Sequence, residues 1–243
     1  MSAKRLIRPP GVYVPQADTA LLMDCLAEEE LGPGDRTLDL CTGTGVVAIA
    51  AARRGAETTA IDISGVALAA ARCNARLHGS HLRLKRGDLA TPVEDERFDV
   101  VTANPPYVPA ASTRAPRRGP SRAWDAGPDG RLLLDRICSA VPSLLAPNGV
   151  LLLVQSSLAG VEASLEGLSH TGIPAVVVAR RRQPFGPVMT ARAAWFEEKG
   201  LVAPGVRSEE LVVIRAVNDS ARMPVPLSGS RRVTSATGAE EAA

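Results

Sequence analysis

Leu38-Asp39-Leu40-Cys41-Thr42-Gly43-Thr44-Gly45 carries the architecture of the chain. A short apolar-flanked run, Thr37 to Cys41, gives way to two glycines spaced two apart. The stretch from Val46 to Arg54 then carries an Ala- and Ile-rich helical pattern that stops at Gly55. A strand, a tight turn and a helix read this way. Gly43 and Gly45 allow the turn and let a ligand approach the backbone, and the helix N-terminus behind them offers unpaired N–H groups.

Outward from this turn the chain alternates short β-branched runs with longer helical patterns. Upstream, Gln16 to Leu31 has Leu21, Leu22, Cys25 and Leu26 at helical spacing and is stopped by Gly32-Pro33-Gly34. Downstream, Glu57 to Ile63 is a second strand, Ser64 to Leu77 a helix capped by Ser64 and ended at Gly79, and His81 to Lys85 a third strand. Phe98 to Ala103 is a fourth strand. A long Pro-, Gly- and Arg-rich connection, Asn104 to Gly130, follows it and has the character of a working loop or a disordered one. Arg131 to Leu145 resumes as a helix and Val150 to Gln155 as a buried strand. Val161 to Leu168 is helical. Val176 to Ala179 and Leu211 to Ala216 are two further strands, with a helix near Thr190 to Lys199 between them.

This alternation predicts an α/β fold, a doubly wound sheet with ligands at the C-terminal ends of its strands. Function is therefore expected in the loops after Cys41, Ile63, Arg86 and Ala103. Residues 1–218 are expected to form a single domain. Residues 219–243, rich in Ser, Gly, Pro, Thr and Ala without periodicity, are expected to be a disordered tail.

Composition narrows the function classes. The 243 residues are 45% hydrophobic and 22% charged, which excludes global disorder, and the formal net charge of +2 argues against a strongly basic nucleic-acid binder. Only Lys4, Lys85 and Lys199 are lysines, a bias that fits a high-GC genome and weakens any argument from the arginine count. Cys25, Cys41, Cys73 and Cys138 form no CxxC pair, so neither a zinc site nor a disulfide framework is expected, and a reducing cytoplasm fits. No apolar segment follows Lys4, Arg5 and Arg8, and the longest apolar runs fall far short of ~18 residues, so neither export nor a membrane span is expected.

Gly43, Gly45 and Ala48 satisfy the G-x-G-x-x-A dinucleotide pattern, and Asp62 ends the next strand where a ribose ligand is expected. An NAD-dependent oxidoreductase is therefore one reading. Asp39 favours another, because a carboxylate beside the loop repels a pyrophosphate and welcomes a cation. S-adenosylmethionine carries an ammonium and a sulfonium but no phosphate. Asp62 would then take its ribose hydroxyls and Asp88-Leu89 would meet the adenine edge. Taken singly, Asp39 and Asp88 read as turn or capping carboxylates, but their placement at successive strand ends favours the cofactor.

Asn104-Pro105-Pro106-Tyr107 directly after the fourth strand resembles the (D/N/S)-P-P-(Y/F/W) loop of class I methyltransferases that methylate a planar NH2 nitrogen. Such a nitrogen has a delocalised lone pair. Acceptors at the Asn104 side-chain oxygen and the Pro105 carbonyl would bind its two N–H groups and hold it in line with the methyl group. The rigid Pro105-Pro106 pair fixes those acceptors, and Tyr107 would pack on the planar group. A plain turn is the alternative reading.

The resemblance extends to Val12-Tyr13-x-Pro15-x-Ala17-Asp18-Thr19 and to Ala123-Trp124-x-x-Gly127-x-x-Gly130-Arg131, which look like the HemK-like glutamine methyltransferases. Of these, the chain is most similar to the short branch acting on class I translation termination factors in eukaryotes and archaea. It covers roughly Gly11 to Leu153. The resemblance implies the seven-stranded class I methyltransferase sheet, mostly parallel with an antiparallel last strand. It further implies S-adenosylmethionine as cofactor, a cofactor contact at Thr19 and a protein glutamine, such as that of a release factor, as acceptor.

Two departures stand out. Cys41 occupies a position where the family usually has Gly. Only about thirty-five residues precede the first strand, whereas the bacterial enzymes carry a helical recognition domain there. The eukaryotic branch works with a small zinc-binding activating subunit, of which this chain carries no sign. Rival readings are a nucleic-acid amino-methyltransferase acting on adenine N6 or guanine N2, the NAD oxidoreductase and a cofactor-binding protein without activity. Arg114, Arg117, Arg118 and Arg122 would meet phosphates or an acidic protein, or line a solvated loop. Arg180-Arg181-Arg182 is expected to fringe the sheet edge, Trp124 to act as a lid, and His78 and His81 not to bind metal because Gly79 breaks their helix.

Overall fold

The computed structural model describes residues 6–116 and 119–219. Seven strands form one sheet: β1 (Arg36–Leu40), β2 (Glu57–Asp62), β3 (Arg83–Arg86), β4 (Phe98–Ala103), β5 (Leu145–Ser156), β6 (Ala175–Pro184) and β7 (Ser208–Val217). Six α-helices accompany them: α1 (Ala17–Glu28), α2 (Val46–Ala52), α3 (Gly65–Leu77), α4 (Leu134–Leu144), α5 (Val161–His170) and α6 (Pro187–Glu198). The order across the sheet is β3-β2-β1-β4-β5-β7-β6. Strands β1 to β5 run parallel, and β7 runs antiparallel to both β5 and β6. The doubly wound expectation, with its antiparallel last strand, is what the chain forms.

From β1 the chain steps outward to β2 and β3, then returns past β1 to β4 and continues the other way. The strand order therefore reverses between β1 and β4. A crevice opens at such a switch point, beyond the strands' C-terminal ends. The central strands are buried on both faces, with Leu38, Leu40, Val101, Ala103 and Leu151 to Val154 almost wholly inaccessible. With aromatics so few, aliphatic burial of this kind is the main driving force.

Several element bounds differ from expectation, among them β3, which begins at Arg83 rather than His81, α6, at Pro187 rather than Thr190, and β7, at Ser208 rather than Leu211. Strand β6 continues from Ala175 through the arginine run to Pro184 because each arginine finds a partner: Arg180 pairs with Glu210, Arg181 with Asp24, and Arg182 donates to Ser208 Oγ. The run does fringe the sheet, since β6 is an edge strand. Helix α4 starts at Leu134 rather than Arg131, because Arg131 is an anchor whose guanidinium donates to the Ala159 and Gly160 carbonyls and pairs with Asp135. Strand β5 begins at Leu145, with a register shift against β4 between Phe98 and Val100. At the opposite edge, Arg36, Arg83 and Lys85 converge on Glu96, so that β3 presents charge instead of a bare apolar edge.

Among the described residues no helix is long and apolar enough to cross a membrane, and no cluster of His, Cys, Asp and Glu could hold a metal ion. The tail expected to be disordered lies, apart from Asp219, outside the described residues, as do Arg117 and Arg118.

Candidate active site

The loops after β1, β2, β3 and β4 meet at one cavity of about 570 Å³. That volume falls within the range of small-molecule and cofactor sites. The residues expected to hold the cofactor or act in transfer line it, namely Thr19, Asp39, Cys41, Gly43, Asp62, Asp88, Leu89, Asn104, Pro105, Pro106 and Tyr107, with the exception of Gly45, which shapes the turn from behind. Gly45 has φ +81°, and a Cβ there would lie 2.8 Å from the Ala71 Cβ, so α2 and α3 pack this closely only around glycine. Cys41 also sits in left-handed backbone, at φ +58°. That conformation costs an L-residue about 1–2 kcal/mol and accounts for glycine as the usual residue at such a place.

Asp39 is wholly buried and each of its oxygens already accepts from a threonine: Oδ2 from Thr42 Oγ1 at 2.6 Å, and Oδ1 from Thr102 Oγ1 at 2.7 Å. Thr102 is its register partner on β4, so the pair ties the two strands together at the switch point. Burial pushes the Asp39 carboxyl up to about 6, against the pull of the two threonine hydroxyls. Asp39 thus fixes the turn as well as placing negative charge beside the cavity.

Asp62 holds the turn from the other side. Its Oδ2 accepts from Gly43 N at 3.0 Å and its Oδ1 from Ser64 N at 2.8 Å, which leaves each oxygen a further lone pair. Desolvation raises its carboxyl above the usual range, opposed by those backbone donors. Gly45 N donates to the Thr42 carbonyl. The turn's N–H groups at Gly43 and Gly45 are therefore spent within the protein and do not face a phosphate. Asp88 is half-exposed and pairs with Arg136 at 2.9 Å, while Leu89 beside it is buried at φ +50°.

At the other end of the cavity the sequence alone missed the central group, Asp18. Buried at the start of α1, it accepts from Tyr13 Oη at 2.7 Å, Tyr107 Oη at 3.0 Å, the Asn104 amide nitrogen at 3.2 Å, and both the backbone N–H and hydroxyl of Thr19. The Asn104 nitrogen also donates to Thr19 Oγ1 at 3.2 Å. Burial and the Asp18 charge push the Tyr13 and Tyr107 phenols far above their ordinary value, so both stay protonated as donors. With its amide nitrogen committed, Asn104 has Oδ1 left for a ligand. Asp18 belongs to the quoted Tyr13-to-Thr19 motif, but its partners at Asn104 and Tyr107 lie 86 and 89 positions away.

The loop carrying these residues is pinned by backbone bonds. Val108 N donates to the Trp124 carbonyl at 2.8 Å and Ala110 N to the Gly127 carbonyl at 2.8 Å. Gly130, at φ +77°, passes so close that a Cβ would lie 2.3 Å from the Tyr107 carbonyl oxygen. Trp124 and Arg122 line the cavity, partly buried, whereas Arg114 is exposed and does not. Gln183 and Glu209, on β6 and β7, also line it and were not singled out in the sequence.

Comparison with known proteins agrees with this geometry. The family model described as the methyltransferase small domain matches residues 5–116. A protein N5-glutamine methyltransferase candidate of Methanocaldococcus jannaschii is 33% identical over 185 residues, covering 76% of this chain and 92% of its own. The release factor glutamine methyltransferase of Geobacter sulfurreducens is 33% identical over 170 residues, 67% of this chain but 59% of its own. The chain thus spans nearly all of the archaeal relative and little more than half of the bacterial one. Among solved structures, a chain of the E. cuniculi Mtq2–Trm112 complex, responsible for methylation of the eRF1 termination factor, matches with a TM-score of 0.58 at 25% identity, covering 86% of this chain and 99% of its own. The fold, the cavity at its switch point and these relatives together make the chain a member of the HemK-like protein-glutamine N-methyltransferase family, whose class I fold implies the use of S-adenosylmethionine.

Proposed function

We propose that this protein methylates the side-chain carboxamide nitrogen of a glutamine in a protein, and that its acceptor is a class I translation release factor. The observation that carries the reading is the Asn104 side chain, whose nitrogen is held by Asp18 and Thr19 so that its oxygen is left to accept from an incoming NH2 group.

The residues present fit S-adenosylmethionine. Carboxylates at Asp39, Asp62 and Asp88 line the end of the cavity formed by the glycine turn, which suits a cationic ligand bearing ribose hydroxyls. The Gly43 and Gly45 N–H groups are occupied internally, which disfavours the pyrophosphate of a dinucleotide. When bound, this cofactor supplies a methyl group on a sulfonium, an electrophile that needs no further activation.

The chain's own task is orientation. A carboxamide nitrogen is a poor nucleophile because its lone pair is delocalised into the carbonyl. Asn104 Oδ1 and the Pro105 carbonyl would accept from its two N–H groups, and those bonds strengthen as positive charge builds on nitrogen during transfer. The paired prolines hold these acceptors in place before the substrate arrives. Asp18 already accepts from five donors, so it serves to position Asn104, and the proton lost from nitrogen passes to water. Thr19, Tyr107 and Tyr13 complete the cradle, with Trp124 over the cavity as a lid.

The test is transfer of labelled methyl from S-adenosylmethionine to a purified class I release factor and to an extract of cells lacking this gene, with the product split between protease and nuclease. Label on a glutamine of the release factor is the expected result. Protease-sensitive label elsewhere would replace the release factor by another protein, as in the relatives that act on ribosomal protein uL3. Nuclease-sensitive label would overturn the reading in favour of a nucleic-acid amino group.

A further inference from the structure

Glu209 is 5% exposed, and its Oε2 has no hydrogen-bond partner, although it lines the cavity that holds Asn104. Its other oxygen accepts from Gln183 Nε2 at 2.8 Å, across the register pair that joins β6 to β7. Three of the surrounding donors are spoken for. The Tyr13 and Tyr107 hydroxyls both go to Asp18, and the Gln183 amide goes to Oε1. The Ser156 hydroxyl, a neighbouring donor, lowers the Glu209 carboxyl together with Gln183, while Oε2 itself meets no hydrogen-bond partner. Burial raises the carboxyl, and the Asp18 charge adds to the effect.

A buried carboxylate oxygen left without a donor costs free energy that an apolar or amide side chain of similar size would not. Its position explains why the fold carries that cost. Strand β7 is antiparallel, so its first residues lie at the sheet edge where β1 and β4 end, and Leu211 is in register with Ser156 at the end of β5. Asp18 is bonded to Asn104 and acts on Glu209 through its charge. Glu209 is therefore on the side of the cavity formed by the Asn104 loop, away from the glycine turn.

We propose that Glu209 Oε2 is a specificity-determining acceptor for the methylated polypeptide, taking a hydrogen bond from a main-chain N–H of the segment that carries the target glutamine. Asn104 Oδ1 and the Pro105 carbonyl are occupied by the carboxamide's own N–H groups. A third acceptor in the same cavity must meet the next donor along the substrate, and in a peptide that donor is a backbone amide. This inference rests on the protein-acceptor reading above and deepens it. Recognition by a charged acceptor is worth roughly tenfold to a hundredfold in affinity.

The experiment compares wild type with Glu209→Gln and Glu209→Met for thermal stability, S-adenosylmethionine affinity, and KM and kcat on the release factor. If the wild type does not label that factor, the release-factor reading falls by itself. The two variants are then compared on the extract proteins that the wild type does label. Expected are an unchanged or higher Tm, unchanged cofactor affinity, and an acceptor KM raised at least tenfold with kcat nearly retained. The largest rise belongs to Glu209→Met, which has no acceptor oxygen. An unchanged acceptor KM in Glu209→Met would overturn the proposal. Loss of cofactor affinity or of stability in step with activity would also overturn it, by making Glu209 a structural or cofactor-side group.

Discussion

The Asn104 amide nitrogen lies 3.2 Å from Asp18 Oδ2, an oxygen that also accepts from the Tyr13 and Tyr107 hydroxyls. The atom of Asn104 facing it therefore has to be the donor, and the direction of Oδ1 follows. Asp18 thus orients the group proposed to meet the substrate, while its own acceptor oxygens are filled by protein donors.

Replacing Asp18 by Asn removes this constraint, because an amide can donate as well as accept and lets Asn104 adopt either orientation. Turnover is expected to fall on the order of a hundredfold, the effect of a modest misplacement at a reacting centre. Cofactor affinity should stay within about threefold. Single-turnover transfer and calorimetric titration of the same protein separate the two. Equal losses in both would show that Asp18 supports the whole cavity.

Asp62→Ala should weaken S-adenosylmethionine binding by about 1.5–3 kcal/mol, the range for hydrogen bonds to a charged group. Asn104→Ala should abolish transfer while leaving that binding nearly intact. Calorimetry on both variants checks the assignment of the two ends of the cavity. Asp62 would leave the site if its loss did not change affinity.

At Gly130 a Cβ would lie 2.3 Å from the Tyr107 carbonyl oxygen, in backbone with φ +77°. Gly130→Ala must therefore displace the loop that carries Asn104. A stability loss of about 1–3 kcal/mol is expected from strain and overpacking, and turnover should drop more steeply than cofactor affinity. Chemical denaturation and the transfer assay would read the two effects. Full activity in this variant would mean that the loop adjusts without moving Asn104.

Two carboxyls give stability profiles of opposite sign. Asp39 is raised from 3.8 to about 6 by burial, so the folded protein keeps its proton where the unfolded chain has lost it. Its contribution is fully present below pH ~4 and is lost as pH rises through 6, a change of about 3 kcal/mol. Glu96 is lowered from 4.5 to about 2, first by the hydrogen bond from Arg83 and then by Lys85. Its contribution is present above pH 4.5 and is lost as pH falls toward 2. Melting curves from pH 3 to 7 should show the Asp39 decline in the wild type and its disappearance in Asp39→Asn. Parallel curves would show that Asp39 titrates as an ordinary carboxyl.

Local pattern carried much of the fold. The change from strand period to helix period at Gly43 and Gly45, the bounds of β2 and β4 and the Ser64 cap all depend on backbone dihedrals and neighbours a few residues apart. The same holds for Asn104-Pro105-Pro106-Tyr107, whose place after β4 is set by where that strand ends. Local pattern gives a shorter β6 because the exposed arginines that extend it are stabilised by Asp24, Glu210 and Ser208, which no window around them contains. Asp18 and Glu209 were invisible as site residues for a related reason. An aspartate at the start of a helix reads as a first-turn charge, and Glu209 falls before the Leu211 to Ala216 strand that the local pattern gives. Only the crossover that reverses the strand order between β1 and β4, and the antiparallel return of β7, bury these carboxylates beside residues scores of positions away. Local sequence pattern sets the elements and the loop proposed to meet the nitrogen. Which side chains lose water there, and with it the direction in which Asn104 points, follows from long-range packing.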